Sequence, residues 1–259
     1  MNFTNQSLAI EQLADFAQRK VQSVLISGPS GSGKTHIASL YQSLVGASEF
    51  WSIDPNVNSI KDTIEYCIQS NITAVCCIEN LDIGSINACN TILKFLEEPQ
   101  SGIFIIVTCH NIGDVPNTIV SRCTTISLSN PTHEDLIKYM ENKFHISLLD
   151  NPLYNAAISF SDVDCIYMLK QEYCEYILES IDILSEPSIS TQVWNLTHFP
   201  DSSNVPLKIL FQCLLYYYKS INDTKLSSLC VSILEDISDK RIASHIPVTK
   251  FCMAIRYGI

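Results

Sequence analysis

The stretch Gly28-Pro29-Ser30-Gly31-Ser32-Gly33-Lys34-Thr35 decides the fold of this chain. It fits the pattern G-x-x-x-x-G-K-[ST] and follows an apolar run, Val21 to Ile26, that has the length of a buried strand. In this pattern, glycines let backbone N–H groups turn toward phosphates, and the helix that begins there adds the positive end of its dipole. The sequence therefore predicts a phosphate-binding loop between a strand and a helix.

The residue types in this loop indicate individual roles toward ATP and Mg²⁺. Lys34 is predicted to neutralise the β- and γ-phosphates, and Thr35 to offer its hydroxyl to Mg²⁺, which prefers hard oxygen ligands. The remaining positions expected to bind nucleotide within the loop are Gly28, Ser30, Gly31, Ser32 and Gly33. A glycine turn that carries a lysine by chance is the alternative, and the strand before the loop disfavours it.

An acidic element follows the next fully apolar run along the chain. The run Ala74 to Ile78 ends in Glu79-Asn80-Leu81-Asp82, and a carboxylate at the end of such a strand can hold the water shell of the metal. We therefore expect Glu79 to be the Mg²⁺ ligand if nucleotide binds, with a surface acid that caps the strand as the alternative. Asn80 has no basic oxygen, so it cannot polarise a water as a carboxylate would. Asp82 is a candidate to compensate.

The flanking sequence predicts an α/β fold. The aliphatic runs Ala74 to Ile78 and Ile103 to Val107 alternate with helical stretches, which indicates a parallel sheet covered on both faces. After Pro131, Thr132 and Asp135 are typical of a capped helix start, so a helical region begins there. A polar stretch from Ser188 to Asn204 interrupts it.

Two apolar stripes at helical spacing follow this interruption. They are interpreted as core, with a surface that faces a partner as the alternative. Their members are Leu207, Leu210, Phe211, Leu214, Leu215 and Tyr218 in the first, and Leu226, Leu229, Cys230, Ile233, Leu234 and Ile237 in the second.

Composition limits the classes of function. The 259 residues carry 27 Asp and Glu against 16 Lys and Arg, a net charge of −11, which is the opposite of the basic surface that a stand-alone nucleic-acid binder needs. The eleven cysteines form no Cys-x-x-Cys pair, so we expect reduced core thiols and no zinc site. Apolar runs too short to cross a bilayer and an amino-terminal segment without a leader pattern favour a cytoplasmic protein with no membrane partner.

Four ordered motifs resemble the AAA+ subunits of bacterial clamp loaders, especially the DNA polymerase III delta-prime and gamma/tau subunits. They span about Asn2 to Cys123. The motifs are the GPSGSGKT loop, the IENLD strand end, the helix NACNTILKFLEEP from Asn87 to Pro99, and the PNTIVSRC segment from Pro116 to Cys123.

This resemblance implies an arginine that acts in trans. Arg122, in the S-R-C motif, would reach the γ-phosphate bound by a neighbouring subunit and stabilise transition-state charge there. A surface arginine paired with an acid is the alternative. Cys123 has no evident histidine partner, so a nucleophilic role is disfavoured.

The resemblance also implies a domain plan and partners. It predicts a P-loop domain over residues 1–130, a helical lid over 131–185 and a helical collar over 186–259 that serves oligomerisation. The implied partners are other clamp-loader subunits, the sliding clamp and, mainly through the assembly, primed DNA.

Departures from the family pattern decide the type of subunit that we expect. Hydrolysing members carry Asp-Glu where this chain has Glu79-Asn80, so ATP and Mg²⁺ are expected to bind weakly and turnover to be weak or absent. Thr108 occupies about the place of the residue that senses the γ-phosphate, with Asn111 as the fallback. Asp164 matches the position of a lid arginine in the family, and an acid there is expected to repel nucleotide. The cysteine module that many relatives insert is missing.

The leading hypothesis from the sequence is a delta-prime-like subunit that donates Arg122 to an adjacent ATPase. An ATP-hydrolysing motor subunit of the gamma/tau type is the main alternative. A small-molecule kinase is disfavoured because the sequence shows no cluster for an acceptor substrate.

Overall fold

A five-stranded parallel sheet organises the amino-terminal part of the chain. The computed structural model describes residues 6–145, 152–169, 177, 204–238 and 245–257. The strands are β1 (Ser23–Ser27), β2 (Glu49–Ile53), β3 (Ala74–Ile78), β4 (Ile103–Cys109) and β5 (Thr124–Ser127). Their order is β2-β3-β4-β1-β5, and every neighbouring pair is parallel, which confirms the predicted α/β class.

Helices cover both faces of this sheet. They are α1 (Ser7–Gln18), α2 (Lys34–Val45), α3 (Val57–Gln69), α4 (Ile86–Glu97) and the short α5 (Asn117–Val120). Alternate residues of β3 join different cores: Cys76 packs with α3 and α4, and Val75 packs with α1 and α2. Because both faces of β3 and β4 are buried, these strands are apolar except for Thr108 rather than alternating.

The two edge strands are harder to recognise from sequence. Most residues of β2 are only partly buried, and three of the four residues of β5 are exposed. Their segments, EFWSI and TTIS, therefore mix polar and apolar residues and lack the continuous aliphatic character of a central strand. The strand predicted from Val21 in fact begins at Ser23.

The predicted cap after Pro131 is confirmed at the start of α6 (His133–Phe144). The Thr132 backbone N–H donates to Asp135 Oδ2 at 3.1 Å, and the Asp135 backbone N–H donates to Thr132 Oγ1 at 3.2 Å. These bonds form the reciprocal pattern of a capping box, with an aspartate in the place of the usual glutamate. The first compact unit of the chain ends here, at Asp135.

The second unit, Leu136–Ile259, is helical where it is described. It contains most of α6, a 3-10 turn (Pro152–Ala156), α7 (Phe160–Met168), α8 (Asn204–Ser220), α9 (Thr224–Ser238) and α10 (His245–Tyr257). The lid and collar assignments stay predictions, because the boundary at residue 185 lies outside the described residues. Of the predicted polar stretch 188–204, only Asn204 is described, and it begins α8.

The interpretation of the two apolar stripes as core fits this unit. In α8 every member of the first stripe is buried except Leu215, which is partly exposed. In α9 Cys230, Ile233 and Ile237 are buried and the leucines of the stripe are partly exposed. The rings of Phe211 and Phe251 meet edge to face at 5.2 Å between centroids, which ties α8 to α10.

Cysteines are mostly core residues. The described cysteines are free thiols, and the buried ones are Cys67, Cys76, Cys77, Cys89, Cys109, Cys213 and Cys230. Burial raises the pKa of Cys123 to about 12, so this thiol is a poor nucleophile. Among the described helices, none has the length and apolarity needed to cross a membrane.

A candidate nucleotide-binding site and an exposed arginine

The predicted phosphate loop connects the end of β1 to the start of α2. Two of its glycines, Gly31 at φ 72° and Gly33 at φ 92°, adopt left-handed backbone conformations that other L-residues rarely adopt. The first N–H groups of α2 have no partner within the helix, so they can receive an anion. The loop therefore has the conformation and the donors that its sequence predicts.

Gly28 lies where the loop leaves the sheet, and there is no room for a side chain at this position. A Cβ atom would lie 2.8 Å from the Leu128 carbonyl oxygen and 2.9 Å from Leu128 Cβ. We expect Gly28→Ala to lower the free energy of unfolding by about 1–3 kcal/mol, because the Leu128 backbone would have to shift. Chemical denaturation measures this loss.

Gly113→Ala is the matched control for Gly28→Ala. A Cβ at Gly113 meets only the Asn111 side chain, at 3.5 Å or more, so stability should hardly change. Equal effects of the two substitutions would contradict the steric explanation.

Lys34 lies inside the loop and is buried. Its Nζ donates to the Gly28 carbonyl oxygen at 2.7 Å and to the Pro29 carbonyl oxygen at 2.9 Å. Burial lowers the pKa of Lys34, and the nearby Asp82 and Glu79 carboxylates oppose this shift. An ammonium held by neutral carbonyls in a low-dielectric site has a strong field to offer to phosphate oxygens.

Glu79 and Thr35, the two predicted Mg²⁺ ligands, lie together. Thr35 Oγ1 donates to Glu79 Oε1 at 3.2 Å across the gap between α2 and the end of β3. Ser52, which the sequence analysis missed, donates to the same oxygen at 2.7 Å from the neighbouring strand β2. Two hydroxyls thus orient this carboxylate, and Mg²⁺ remains a prediction that this pair of hard oxygens fits.

This arrangement predicts how Glu79 affects metal dependence. We expect Glu79→Gln to raise the Mg²⁺ concentration that half-saturates ATP binding about tenfold, because a neutral amide is a weaker metal ligand. Titration with a fluorescent ATP analogue at several Mg²⁺ concentrations measures the change. Glu11→Gln, on the exposed face of α1, is the control, and no difference between the two variants would contradict the role of Glu79.

Asn80 and Thr108 contact each other at the carboxyl ends of β3 and β4. Asn80 has a left-handed backbone, φ 49° and ψ 54°, and its N–H donates to Thr108 Oγ1 at 2.9 Å. Thr108 is buried in β4. The Asn111 side chain accepts the Gly113 N–H at 3.1 Å and caps a turn. Phosphate sensing by Thr108 or Asn111 stays a prediction.

A carboxylate–imidazole pair at the same edge of the sheet was missed. Asp82 Oδ2 accepts the backbone N–H of His110 at 3.1 Å and contacts His110 Nδ1 at 2.9 Å. The two residues are 28 positions apart, and only the pairing of β3 with β4 brings them together. The signal in the sequence was Asp82, a carboxylate two residues after Asn80, where a catalytic carboxylate is missing.

Among the described residues, Gln6 and Ser32 each have one buried side-chain oxygen without a hydrogen-bond partner. Gln6 is 3% exposed, and its Nε2 donates to the Ser32 carbonyl oxygen at 2.8 Å. The Gln6 Oε1 and Ser32 Oγ atoms are buried without a hydrogen bond. This contact ties the segment before α1 to the phosphate loop.

Arg122 lies on the surface after α5. Its side chain is 36% exposed, one terminal nitrogen donates to the Thr118 carbonyl oxygen at 2.8 Å, and the other pairs with Glu97 Oε1 at 2.8 Å. Glu97 is the last residue of α4. The acid pairing considered as an alternative is therefore present, but it lies at the surface and leaves part of the guanidinium accessible.

Asp164, the residue predicted to replace a lid arginine, is engaged within the second unit. Its carboxylate accepts the Tyr139 hydroxyl at 2.9 Å and pairs with Lys143 at 2.8 Å. The adjacent lysine offsets the charge of this acid, which weakens the predicted repulsion of nucleotide.

Comparisons with known proteins agree with these motifs. The family model described as DNA polymerase III, delta subunit, matches residues 47–132. DNA polymerase III subunit gamma of Buchnera aphidicola subsp. Schizaphis graminum is 29% identical over 86 residues, which cover 33% of this chain and 24% of that protein. DNA polymerase III subunit tau of Bacillus subtilis is 25% identical over 146 residues, which cover 45% of this chain and 26% of that protein. The match thus spans about a quarter of the length of these two curated relatives.

A solved structure extends the comparison of folds to nearly the whole chain. The DNA polymerase III gamma subunit-related protein of Thermotoga maritima superposes with a TM-score of 0.63 at 16% identity, covering 96% of this chain and 98% of that one. This chain is therefore similar, over a third to nearly half of its length, to subunits of DNA polymerase III, and it shares the fold of a gamma subunit-related protein.

Proposed function

We propose that this chain is a delta-prime-like subunit of the DNA polymerase III clamp loader. It acts in the ATP-dependent loading of the sliding clamp on primed DNA during replication, in the cytoplasm. The observation that carries this proposal is the combination of a surface Arg122 with Asn80 at the position of the catalytic carboxylate. Such a protein would assist ATP hydrolysis in a neighbouring subunit better than it would hydrolyse ATP at its own site.

The accessible guanidinium supports donation to a neighbour. Arginine has five N–H donors, and the bonds to Thr118 and Glu97 engage two of them. The remaining donors can bind phosphate oxygens, a geometry that suits the planar fork of arginine. Thr118 fixes one end of this fork from the backbone of α5, so the group is partly oriented before a partner docks.

The chain's own nucleotide site supports binding more than turnover. Lys34 and the N–H groups of the loop would hold the phosphates, and Thr35 with Glu79 would hold Mg²⁺, which supplies charge neutralisation at the phosphates when bound. The fit rests on the left-handed glycines and on the oriented carboxylate of Glu79. Asn80 has no group that could accept a proton from water.

The acidic net charge of the chain supports DNA contact through the assembly. A net charge of −11 opposes phosphate binding, so other subunits would supply most of the contacts to primed DNA. The proposed partners are therefore other clamp-loader subunits in a hetero-oligomer and, through them, the sliding clamp.

One observation favours the second candidate, an ATP-hydrolysing motor subunit of the gamma/tau type. Asp82 places a buried carboxylate near Lys34, and one of its oxygens has no hydrogen-bond partner among the described residues. Steady ATP hydrolysis by the purified chain, at the rates of an ordinary P-loop motor, would favour the gamma/tau type over the delta-prime-like subunit.

Reconstitution tests the proposed function. A loader assembled with this chain should load a fluorescent clamp on primed DNA, and a loader assembled without it should not. Affinity purification of the tagged chain should recover clamp-loader subunits. Loading that proceeds equally well without the chain would refute the proposal.

A further inference from the structure

Gln6 reaches from the start of α1 to the phosphate loop. It is the cap residue that precedes α1, and its Nε2 donates to the carbonyl oxygen of Ser32, 26 positions along the chain, at 2.8 Å. A side chain at a helix start stabilises the helix when it accepts a backbone N–H, and asparagine, aspartate and serine do this best. The Gln6 side chain makes no such bond. The amide of Gln6 is therefore directed to the loop and not to its own helix.

The burial of this amide is costly for a residue that only packs. Gln6 is 3% exposed, and its Oε1 has no hydrogen-bond partner among the described residues. A buried polar oxygen without a partner lowers stability, and an apolar side chain of the same length would avoid that cost. What an amide provides here, and an apolar side chain cannot, is the bond to the Ser32 carbonyl.

Ser32 lies in the part of the loop whose backbone rotates most easily. Its two neighbours, Gly31 at φ 72° and Gly33 at φ 92°, are both left-handed. Glycine adopts positive and negative φ about equally well, so the peptide unit between Ser32 and Gly33 can rotate at little steric cost. The bond from Gln6 holds the carbonyl oxygen of this peptide unit in one direction.

Holding this carbonyl also fixes the direction of an N–H group. A trans peptide unit is planar, so the Ser32 C=O and the Gly33 N–H point in opposite directions. Gly33 is the cap residue of α2, and the N–H groups at this end of a helix are free of helical partners and can receive phosphate oxygens. Gln6 thus sets the direction of a donor that the loop presents to an anion.

We propose that Gln6 is a positioning residue for the phosphate-binding loop. Its amide holds the Ser32–Gly33 peptide unit so that the Gly33 N–H is already aimed at the phosphates when nucleotide arrives. A loop ordered in advance binds more tightly, because less conformational freedom is lost on binding. The inference rests on the nucleotide binding in the proposed function and requires neither hydrolysis by this chain nor the donation of Arg122.

Gln6→Met in the purified full chain tests the inference. Methionine keeps the length and burial of the side chain but has no donor, so the Kd of a fluorescent ATP analogue should rise about three- to tenfold, the contribution of one hydrogen bond. The melting temperature should change little, because the substitution also removes the unpartnered Oε1. Gln12→Met, on the exposed face of the same helix, is the matched control and should change neither value.

Two further measurements distinguish loop positioning from other roles of Gln6. Inorganic tripolyphosphate, used as a competitor, should lose affinity by the same factor as the ATP analogue, because the Gly33 N–H would bind phosphate and not the base. In nitrogen-15 NMR of the ligand-free chain, the Gly33 amide should give one sharp signal in the wild type. Gln6→Met should broaden this signal by exchange on the microsecond-to-millisecond timescale, because the peptide unit is released.

The outcomes separate this inference from the proposed function. A wild-type chain that binds no ATP analogue would refute the nucleotide site and this inference with it. Three results would overturn the inference alone: wild-type affinity in the Gln6→Met chain, a loss of affinity for the ATP analogue but not for tripolyphosphate, or an unchanged Gly33 signal. A loss of affinity that accompanies a large fall in melting temperature would show that Gln6 only stabilises the fold, and would overturn it too.

Discussion

A clamp loader reconstituted with the Arg122→Ala chain should hydrolyse ATP about 10³–10⁵-fold more slowly than the wild-type assembly, the range that other arginine fingers reach. The Arg122 side chain is 36% exposed, and among the described residues its hydrogen bonds go only to the Thr118 carbonyl and the Glu97 carboxylate. If Arg122 is donated as proposed, its loss would remove positive charge from the transition state in the neighbouring site. Steady-state ATPase assays with clamp and primed DNA measure the effect.

The Arg122→Ala assay distinguishes an arginine that acts in a neighbouring subunit from one that only forms an ion pair in its own chain. Arg19→Ala is the matched control, because Arg19 is an exposed arginine that also pairs with an acid, Asp15. Arg122→Ala should leave thermal stability of the chain nearly unchanged, since exposed ion pairs contribute little. Arg122→Lys should recover only part of the rate, because an ammonium lacks the planar fork. Wild-type turnover by the Arg122→Ala assembly would exclude the donated role.

Lys34→Ala should weaken ATP binding to the purified chain by at least a hundredfold. The Lys34 ammonium is held by two carbonyl oxygens of the loop, and its burial strengthens each electrostatic interaction that it makes. Equilibrium titration with a fluorescent ATP analogue measures the loss.

Stability must be measured beside this loss of binding. Lys34 donates to two carbonyls of its own loop, so its removal leaves them without these bonds. Lys34→Met keeps most of the apolar stem and should lose binding to the same extent with a smaller change in the melting temperature. Lys61→Ala, on the exposed face of α3, is the control. Wild-type affinity in the folded Lys34→Met chain would show that nucleotide is not held by this loop.

Patterns that are local in sequence predicted the central elements well. β3 and β4 are buried on both faces, so their segments are apolar except for Thr108 and stand out from the helices around them. The phosphate loop was predictable because its backbone conformation requires glycine at Gly31 and Gly33. The edge strands β2 and β5 escaped because half-buried strands carry mixed residues that resemble loops.

Contacts between distant segments were predictable only in part. Thr35 and Glu79 were expected to share a metal, and their hydroxyl and carboxylate are in contact. Ser52 and His110 were missed, because each reaches its carboxylate through the lateral order of the strands, which no local pattern encodes.

Asn80 combines two features after the end of β3: it has a left-handed backbone, and it lacks the carboxylate that hydrolysing members of the family carry there. Its left-handed backbone suits asparagine, which tolerates that region better than other residues with a side chain. An engineer who tried to create a motor by writing glutamate at this position would add backbone strain of roughly 1 kcal/mol together with the new carboxylate.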